Sequence, residues 1–261
     1  MIMLQGRRAL VCGSTQGIGR ASAERLAQAG AEVVLLARNA QQLEAVREAL
    51  PIGDGVQHEA VVADFADPAA VRNAVGEYLA GHPPIHILVN NSGGPPAGPA
   101  LEASEEAFRA AFAMHLFCNH ALVQLTVPGM RAAGYGRIIN IISTSVREPI
   151  KGLGVSNTVR GAVASWAKTL SKELGPSGIT VNNVLPGSTR TGRLESIIAG
   201  RAKAAGLDVA AIEQAAMAEI PLGRFASAEE IANAVVFLAS PAASYITGVS
   251  LPVDGGRLAS I

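Results

Sequence analysis

The feature that most limits what this chain can fold into is an alternation. Short runs rich in Val, Ile and Leu are separated by longer Ala-rich segments whose apolar residues recur at helical spacing. The runs Arg8–Cys12, Glu32–Ala37, Ala60–Ala63, His86–Asn90, Arg137–Ile142, Thr180–Leu185 and Val249–Val253 have the length and continuous apolarity of strands buried on both faces. Between them, Ile18–Ala29, Ala40–Leu50, Pro68–Ala80, Glu105–Arg131, Val155–Leu174 and Ala228–Ala239 read as helices, the last opened by a Ser227/Glu230 capping box. Strand and helix in turn predict an α/β chain with a doubly wound parallel sheet of about seven strands. No repeat and no Ser- or Pro-rich linker divides residues 1–261, so one domain is expected. Two segments break the rhythm: the Pro-rich stretch Gly93–Ser104 and the helical stretch Gly187–Pro221, which has no strand beside it. The second is expected to be a lid on the substrate side, with a packing or oligomer-contact insertion as the alternative.

Composition removes several function classes. Hydrophobic residues make up 49% and charged residues 16%, enough for a sizeable core and too apolar for a disordered chain. Lys plus Arg and Asp plus Glu number 21 each, so there is no basic excess for a phosphate backbone and no nucleic-acid partner is expected. The two cysteines, Cys12 and Cys118, lie in apolar stretches and read as buried small hydrophobes. No apolar run approaches the length of a membrane span, and Met1–Arg8 is not followed by the hydrophobic stretch of a signal peptide. A cytoplasmic protein with no membrane partner is the expectation, and no metal site is assigned.

Between the first strand and first helix stands Gly13-Ser14-Thr15-Gln16-Gly17-Ile18-Gly19. Gly13 permits a sharp exit from the strand, Gly17 lets backbone N–H groups approach a pyrophosphate, and Gly19 lets the helix pack closely on the strand. In this context the loop predicts a Rossmann dinucleotide site. After the second strand, a carboxylate would hold the 2′-hydroxyl of NAD and an arginine would suit the 2′-phosphate of NADP. Leu36-Ala37-Arg38-Asn39-Ala40 has no carboxylate and one guanidinium, so NADP(H) is preferred at Arg38 and NAD(H) stays open.

These residues resemble the short-chain dehydrogenase/reductase family over nearly the whole chain, with reductases of 3-oxoacyl groups as the nearest activity. The glycine loop has the family's spacing, and Asn90-Asn91-Ser92-Gly93 is similar to the family's Asn-Asn-Ala-Gly beside the adenine ribose, which implicates Asn91 and Gly93. Asp64, followed by Phe65, resembles the adenine-side Asp, and Pro186-Gly187 with Thr191 resembles the element that receives the nicotinamide carboxamide. Val253-Asp254-Gly255-Gly256 matches the terminal signature.

The resemblance implies a catalytic set of Asn, Ser, Tyr and Lys, and here the chain departs. Ser143 stands on the catalytic serine, but Ser156 occupies the tyrosine position, Arg160 the lysine position and His115 the asparagine position. Tyr78, Tyr135 and Tyr245 lie elsewhere and none has Lys at the fourth position onward. A serine hydroxyl is far less acidic than a phenol and reaches less far. Arg160, one turn from Ser156, cannot exchange protons usefully but can donate to ribose hydroxyls. His115 is one possible proton donor, against helix-capping or core hydrogen bonding; Lys151 and Glu148 are others, against solvated surface charges.

Three functions stay open: an oxidoreductase acting on a small-molecule carbonyl with an atypical proton donor (His115, Lys151 or water) and Ser143 on the carbonyl oxygen; a cofactor-binding protein without turnover; and a lyase or isomerase with His115 as base. The resemblance also implies a homo-oligomer, tetramer or dimer, through the helices at Glu105–Arg131 and Val155–Leu174. Gly187–Pro221 offers no charge cluster from which a substrate could be named.

Overall fold

The computed structural model describes residues 3–53 and 56–260. Seven strands, β1 (Arg8–Cys12), β2 (Glu32–Ala37), β3 (Glu59–Val62), β4 (Ile87–Asn90), β5 (Gly136–Ile141), β6 (Ile179–Pro186) and β7 (Ser250–Val253), form one sheet in the order β3-β2-β1-β4-β5-β6-β7. Every pairing is parallel. The expected sheet is confirmed, each strand starting or ending within a residue or so of the sequence reading. Alternate side chains feed two cores: Ala9, Val11, Val33 and Leu35 pack on one face, Leu10, Cys12, Val34 and Leu36 on the other. Cys12 and Cys118 are both buried and free, as expected, and burial raises both thiols far above their ordinary range.

The helices are α1 (Gly17–Gln28), α2 (Ala40–Ala49), α3 (Pro68–Ala80), α4 (Glu105–Phe112), α5 (Cys118–Ala132), α6 (Gly154–Leu174), α7 (Gly192–Ala205), α8 (Val209–Ala218) and α9 (Ala228–Ala239). Local chemistry starts several of them. Asn39 accepts from Gln42 N–H, Asp67 accepts from Ala69 and Ala70 N–H ahead of Pro68, and the Ser227/Glu230 box is closed in both directions. The helix expected at Glu105–Arg131 is present as one continuous helical segment, Glu105–Ala132, divided into α4 and α5 by a π-helical turn, Ala113–Phe117, that carries His115. Hydropathy is continuous across that turn, so the pattern does not reveal a backbone that adds one residue to it. The 28-residue segment Glu105–Ala132 has a mean hydropathy of 1.3 over its most apolar window, and half of that window is buried inside the fold.

Four strands are tied by a chain of side-chain amides. Asn90 Nδ2 donates to Asn140 Oδ1 at 2.8 Å, Asn140 Nδ2 to Asn183 Oδ1 at 2.9 Å, and Asn183 Nδ2 to Ser250 Oγ at 3.1 Å. Each pair is directly in register across β4, β5, β6 and β7. Asn140 is wholly buried, so truncating it leaves the Asn90 donor and the Asn183 acceptor unpaired in the interior. Asn140→Ala is expected to lower the unfolding free energy by about 2–4 kcal/mol in urea denaturation; a loss under about 1 kcal/mol would show the ladder to be ornamental.

Candidate active site

Sheet order reverses between β1 and β4, and the loops leaving the strand ends there open a cavity of about 770 Å³. Over β1 its wall is Gly13, Thr15, Gln16, Gly17 and Ile18; over β2 and β3 it is Arg38, Asp64 and Phe65. Gly13 and Gly17 hold φ of +58° and +54°, the left-handed region. A Cβ on Gly13 would stand 2.8 Å from the Asn91 carbonyl oxygen, and one on Gly17 would stand 3.3 Å from the Thr191 methyl. Asn91 secures the junction by donating to the Cys12 carbonyl at 3.2 Å.

Two loop residues grouped with the coenzyme site, Gly19 and Ser14, do not reach the cavity. Gly19 does seat α1 closely, as its spacing predicts: a Cβ there would lie 2.1 Å from the Gly13 carbonyl oxygen. Ser14 is wholly buried with its hydroxyl unpaired and does not reach the cavity.

The remaining wall fits a dinucleotide. The residue capping α1, Gln16, makes no side-chain bond to the helix, and the first turn carries no carboxylate, so its N–H groups stay available for a phosphate. Arg38 is 78% exposed and only 4.0 Å from the Asp64 carboxylate, a loose pair that leaves the guanidinium free for a ligand. Asp64 accepts from Ala66 N–H at 3.0 Å, while the buried Phe65 contributes its carbonyl to the Cys118 thiol. Thr191 caps α7 and Gly187 fits under Asp254, where a Cβ would come within 2.7 Å of the Asp254 Cα. Gly93, Pro186, Gly187 and Thr191 all line the cavity.

Over β5 and β6 the wall is Ser143, Ser156, Arg160 and Pro186, and Arg193 of α7 lines the same cavity. Ser143 Oγ accepts from Ser145 N–H at 3.0 Å, which leaves its own proton for a ligand. Arg160 is buried and donates to the Ile141 carbonyl at 2.8 Å. Burial, with Arg193 next, pulls its guanidinium down to about 10, still charged at neutral pH. Arg193 reaches back to the Pro95 carbonyl at 2.5 Å.

His115 lies beneath this wall, 1% exposed and off the cavity. Its Nδ1 meets Ser92 Oγ at 2.7 Å and its Nε2 is unpaired. Burial, then Arg160 and Arg193, lowers its pKa to about 2, so no imidazolium is at hand to donate a proton and the ring is too weak a base to take one. The two surface candidates also fall away. Lys151 is exposed and off the cavity, and Glu148 accepts from Ala259 and Ser260 N–H at 3.0 Å each.

Sequence reading missed Arg193 and Arg201, both cavity residues of α7. Their signal was faint but present: two arginines on the same helix stretch as Leu194 and Ile197, which line the same wall. The Ser92–His115 pair was also missed, because 23 residues separate two side chains that meet only in space.

A family profile described as enoyl-(acyl carrier protein) reductase matches residues 13–257. The chain is 35% identical over 260 residues to L-xylulose reductase of Bos taurus, covering 99% of each. It is 34% identical to 3-oxoacyl-[acyl-carrier-protein] reductase FabG of Aquifex aeolicus (strain VF5), covering 98% of each. Among solved structures, L-sorbose reductase from Gluconobacter frateurii, complexed with NADPH and L-sorbose, superposes with a TM-score of 0.92 at 34% identity, covering 100% of this chain and 99% of that one. With the parallel sheet, the glycine-lined crevice and these matches, the chain belongs to the short-chain dehydrogenase/reductase family of NAD(P)-dependent oxidoreductases acting on carbonyl and alcohol groups.

Proposed function

We propose that the chain is an NADP(H)-dependent reductase of a ketone or 3-oxoacyl-type carbonyl in which Ser143 holds the carbonyl oxygen and water supplies the proton. The observation that carries this reading is that Ser143, with a free hydroxyl proton, shares one cavity with the glycine loop and Arg38. The L-sorbose reductase structure is a complex with NADPH and L-sorbose, which supports the coenzyme and the small-molecule carbonyl.

The bound coenzyme supplies a hydride to the carbonyl carbon, and the oxygen gains one proton to give the alcohol. The protein's share is orientation and charge. Ser143 donates to the carbonyl oxygen, and the positive Arg160 at the same wall makes negative charge on that oxygen less costly. Gly13 and Gly17 with the start of α1 hold the pyrophosphate, Arg38 the 2′-phosphate, and Asp64, Phe65, Asn91 and Gly93 border the adenosine half. Pro186, Gly187, Thr191 and Arg160 border the nicotinamide half. Without a phenol, proton delivery from water costs about 10²–10⁴ in rate.

We read residues 1–261 as one dinucleotide-binding unit covered at about 187–221 by α7 and α8, working in the cytoplasm. The proposed assembly is a homo-oligomer, dimer or tetramer, through the α5 and α6 faces, beside which Phe117 is 54% exposed.

Arg38→Ala is expected to raise the NADPH dissociation constant about 10–100-fold, measured by NADPH fluorescence, with NADH affinity little changed, the equivalent of about 1.4–2.8 kcal/mol. Equal losses for both coenzymes would refute the 2′-phosphate role. A ketone panel followed by NADPH absorbance should show slow, saturable oxidation that falls at least about 10²-fold in Ser143→Ala. Tight NADPH binding without turnover on any ketone would instead favour a binding protein.

His115 gives a pH test. Its unfolded pKa is 6.5 and its folded value about 2, so below pH 6.5 the unfolded chain binds a proton that the folded chain refuses. Stability from this residue is therefore full above pH 6.5 and lost as pH falls. Between pH 7 and pH 5, wild type should lose about 2 kcal/mol more than His115→Asn in urea titrations. Parallel stability curves would mean that the ring is charged in the folded state.

A further inference from the structure

On the reading of this cavity as a reductase site, we propose that its substrate is an oxo compound carrying its own negative charge, a carboxylate or phosphate held by Arg193 and Arg160 with help from Arg201.

Arg160 comes from α6 and Arg193 from α7, yet both stand on the wall that holds Ser143. Among the described residues neither forms an ion pair. Burial first, and the positive charge of Arg193 after it, lowers the Arg160 guanidinium, so the two cations sense one another within the cavity. Two guanidinium groups without acidic partners in one cavity favour a ligand that brings negative charge to them. Each is braced by a single backbone carbonyl, Ile141 for Arg160 and Pro95 for Arg193, which leaves other N–H donors of both forks unspent. A braced, unfilled fork is the arrangement that receives carboxylate or phosphate in bidentate fashion.

The other charges of the cavity have acidic neighbours. Arg38 stands over β2 at the coenzyme's far end beside Asp64, and Arg190 makes a loose 4.0 Å approach to Glu213. Arg257 and Glu219 neutralise one another at 3.1 Å. Arg201 is exposed on α7, with Ile197 on the same wall between it and Arg193, and has no acidic partner among the described residues. The wall around the reacting carbonyl is thus cationic, with apolar Ile150, Leu153 and Ile197 to hold a short carbon chain.

The test compares charged and neutral versions of one ketone at saturating NADPH: acetoacetate and 4-oxopentanoate against their methyl esters, and dihydroxyacetone phosphate against dihydroxyacetone. Wild type is expected to favour at least one charged member by about tenfold or more in kcat/KM. That preference should collapse towards parity in Arg193→Met and fall in Arg201→Met, while NADPH dissociation constants stay within about twofold. Preference for carboxylate over phosphate, or the reverse, identifies the group. Esters and neutral ketones reduced as well as the anions would overturn the proposal. So would an Arg193→Met protein that loses NADPH affinity and keeps the charge preference, since its arginine would then serve the coenzyme. Should no ketone turn over, the reductase reading fails by itself, and the charge inference is judged by calorimetric titration with malonate against malonamide, with and without NADP⁺. Malonate binding that disappears in Arg193→Met upholds it; equal binding of both probes, or of neither, overturns it.

Discussion

Four parallel strands of this protein are held in register by buried amides, and the reactive surface grows from the residues that follow them. Asn90 is bonded to Asn140, Asn140 to Asn183 and Asn183 to Ser250. One residue beyond Asn90, Asn91 secures the glycine loop; one beyond Asn140, Ile141 receives Arg160; and three beyond Asn183 β6 delivers Pro186. Backbone ladders alone would align these strands, but a sheet of Val and Ile makes few distinctions between neighbouring registers. Polar groups that must meet in a dry interior supply the distinction, because any slip leaves several of them unpaired.

The coenzyme half of the site depends on absences of side chain. At Gly13, Gly17 and Gly19 a single methyl would meet Asn91, Thr191 or the loop's own carbonyl. That is a geometric demand, insensitive to what chemistry follows. The reacting half is set by charge instead. Ser156 and Arg160 share its wall with Ser143, and Arg160 brings a cation that cannot give up a proton usefully. His115 does not fill the gap, since the same cations and the same burial that surround it keep it neutral. Its Nδ1 instead pairs with Ser92 Oγ through a 2.7 Å hydrogen bond.

Much of this could be read from residue order. Apolar runs such as Glu32–Ala37 are strands because buried parallel strands need both faces apolar, and Ser227/Glu230 and Asp67-Pro68 announce helix starts through their own local bonds. Residue order was silent where neighbours in space are far apart in the chain. Nothing in Met114-His115-Leu116 reports a π-helical turn, because the apolar period crosses it unbroken. Glu148 looked like a free carboxylate until the C-terminal segment, over a hundred residues on, was found donating to it.

The sequence by itself determined the sheet, its winding and the glycine crevice, since these follow from local periodicity and from backbone conformations that only a bare Cα allows. Only the tertiary structure decided which charges are buried, which are paired and which face a ligand. Desolvation and Coulomb interactions depend on distances between residues remote in the chain, and folding alone sets those distances. So the same letters that announced a dinucleotide crevice could not say that His115 is neutral, that Lys151 stands apart from the cavity, or that Arg193 and Arg160 line it together.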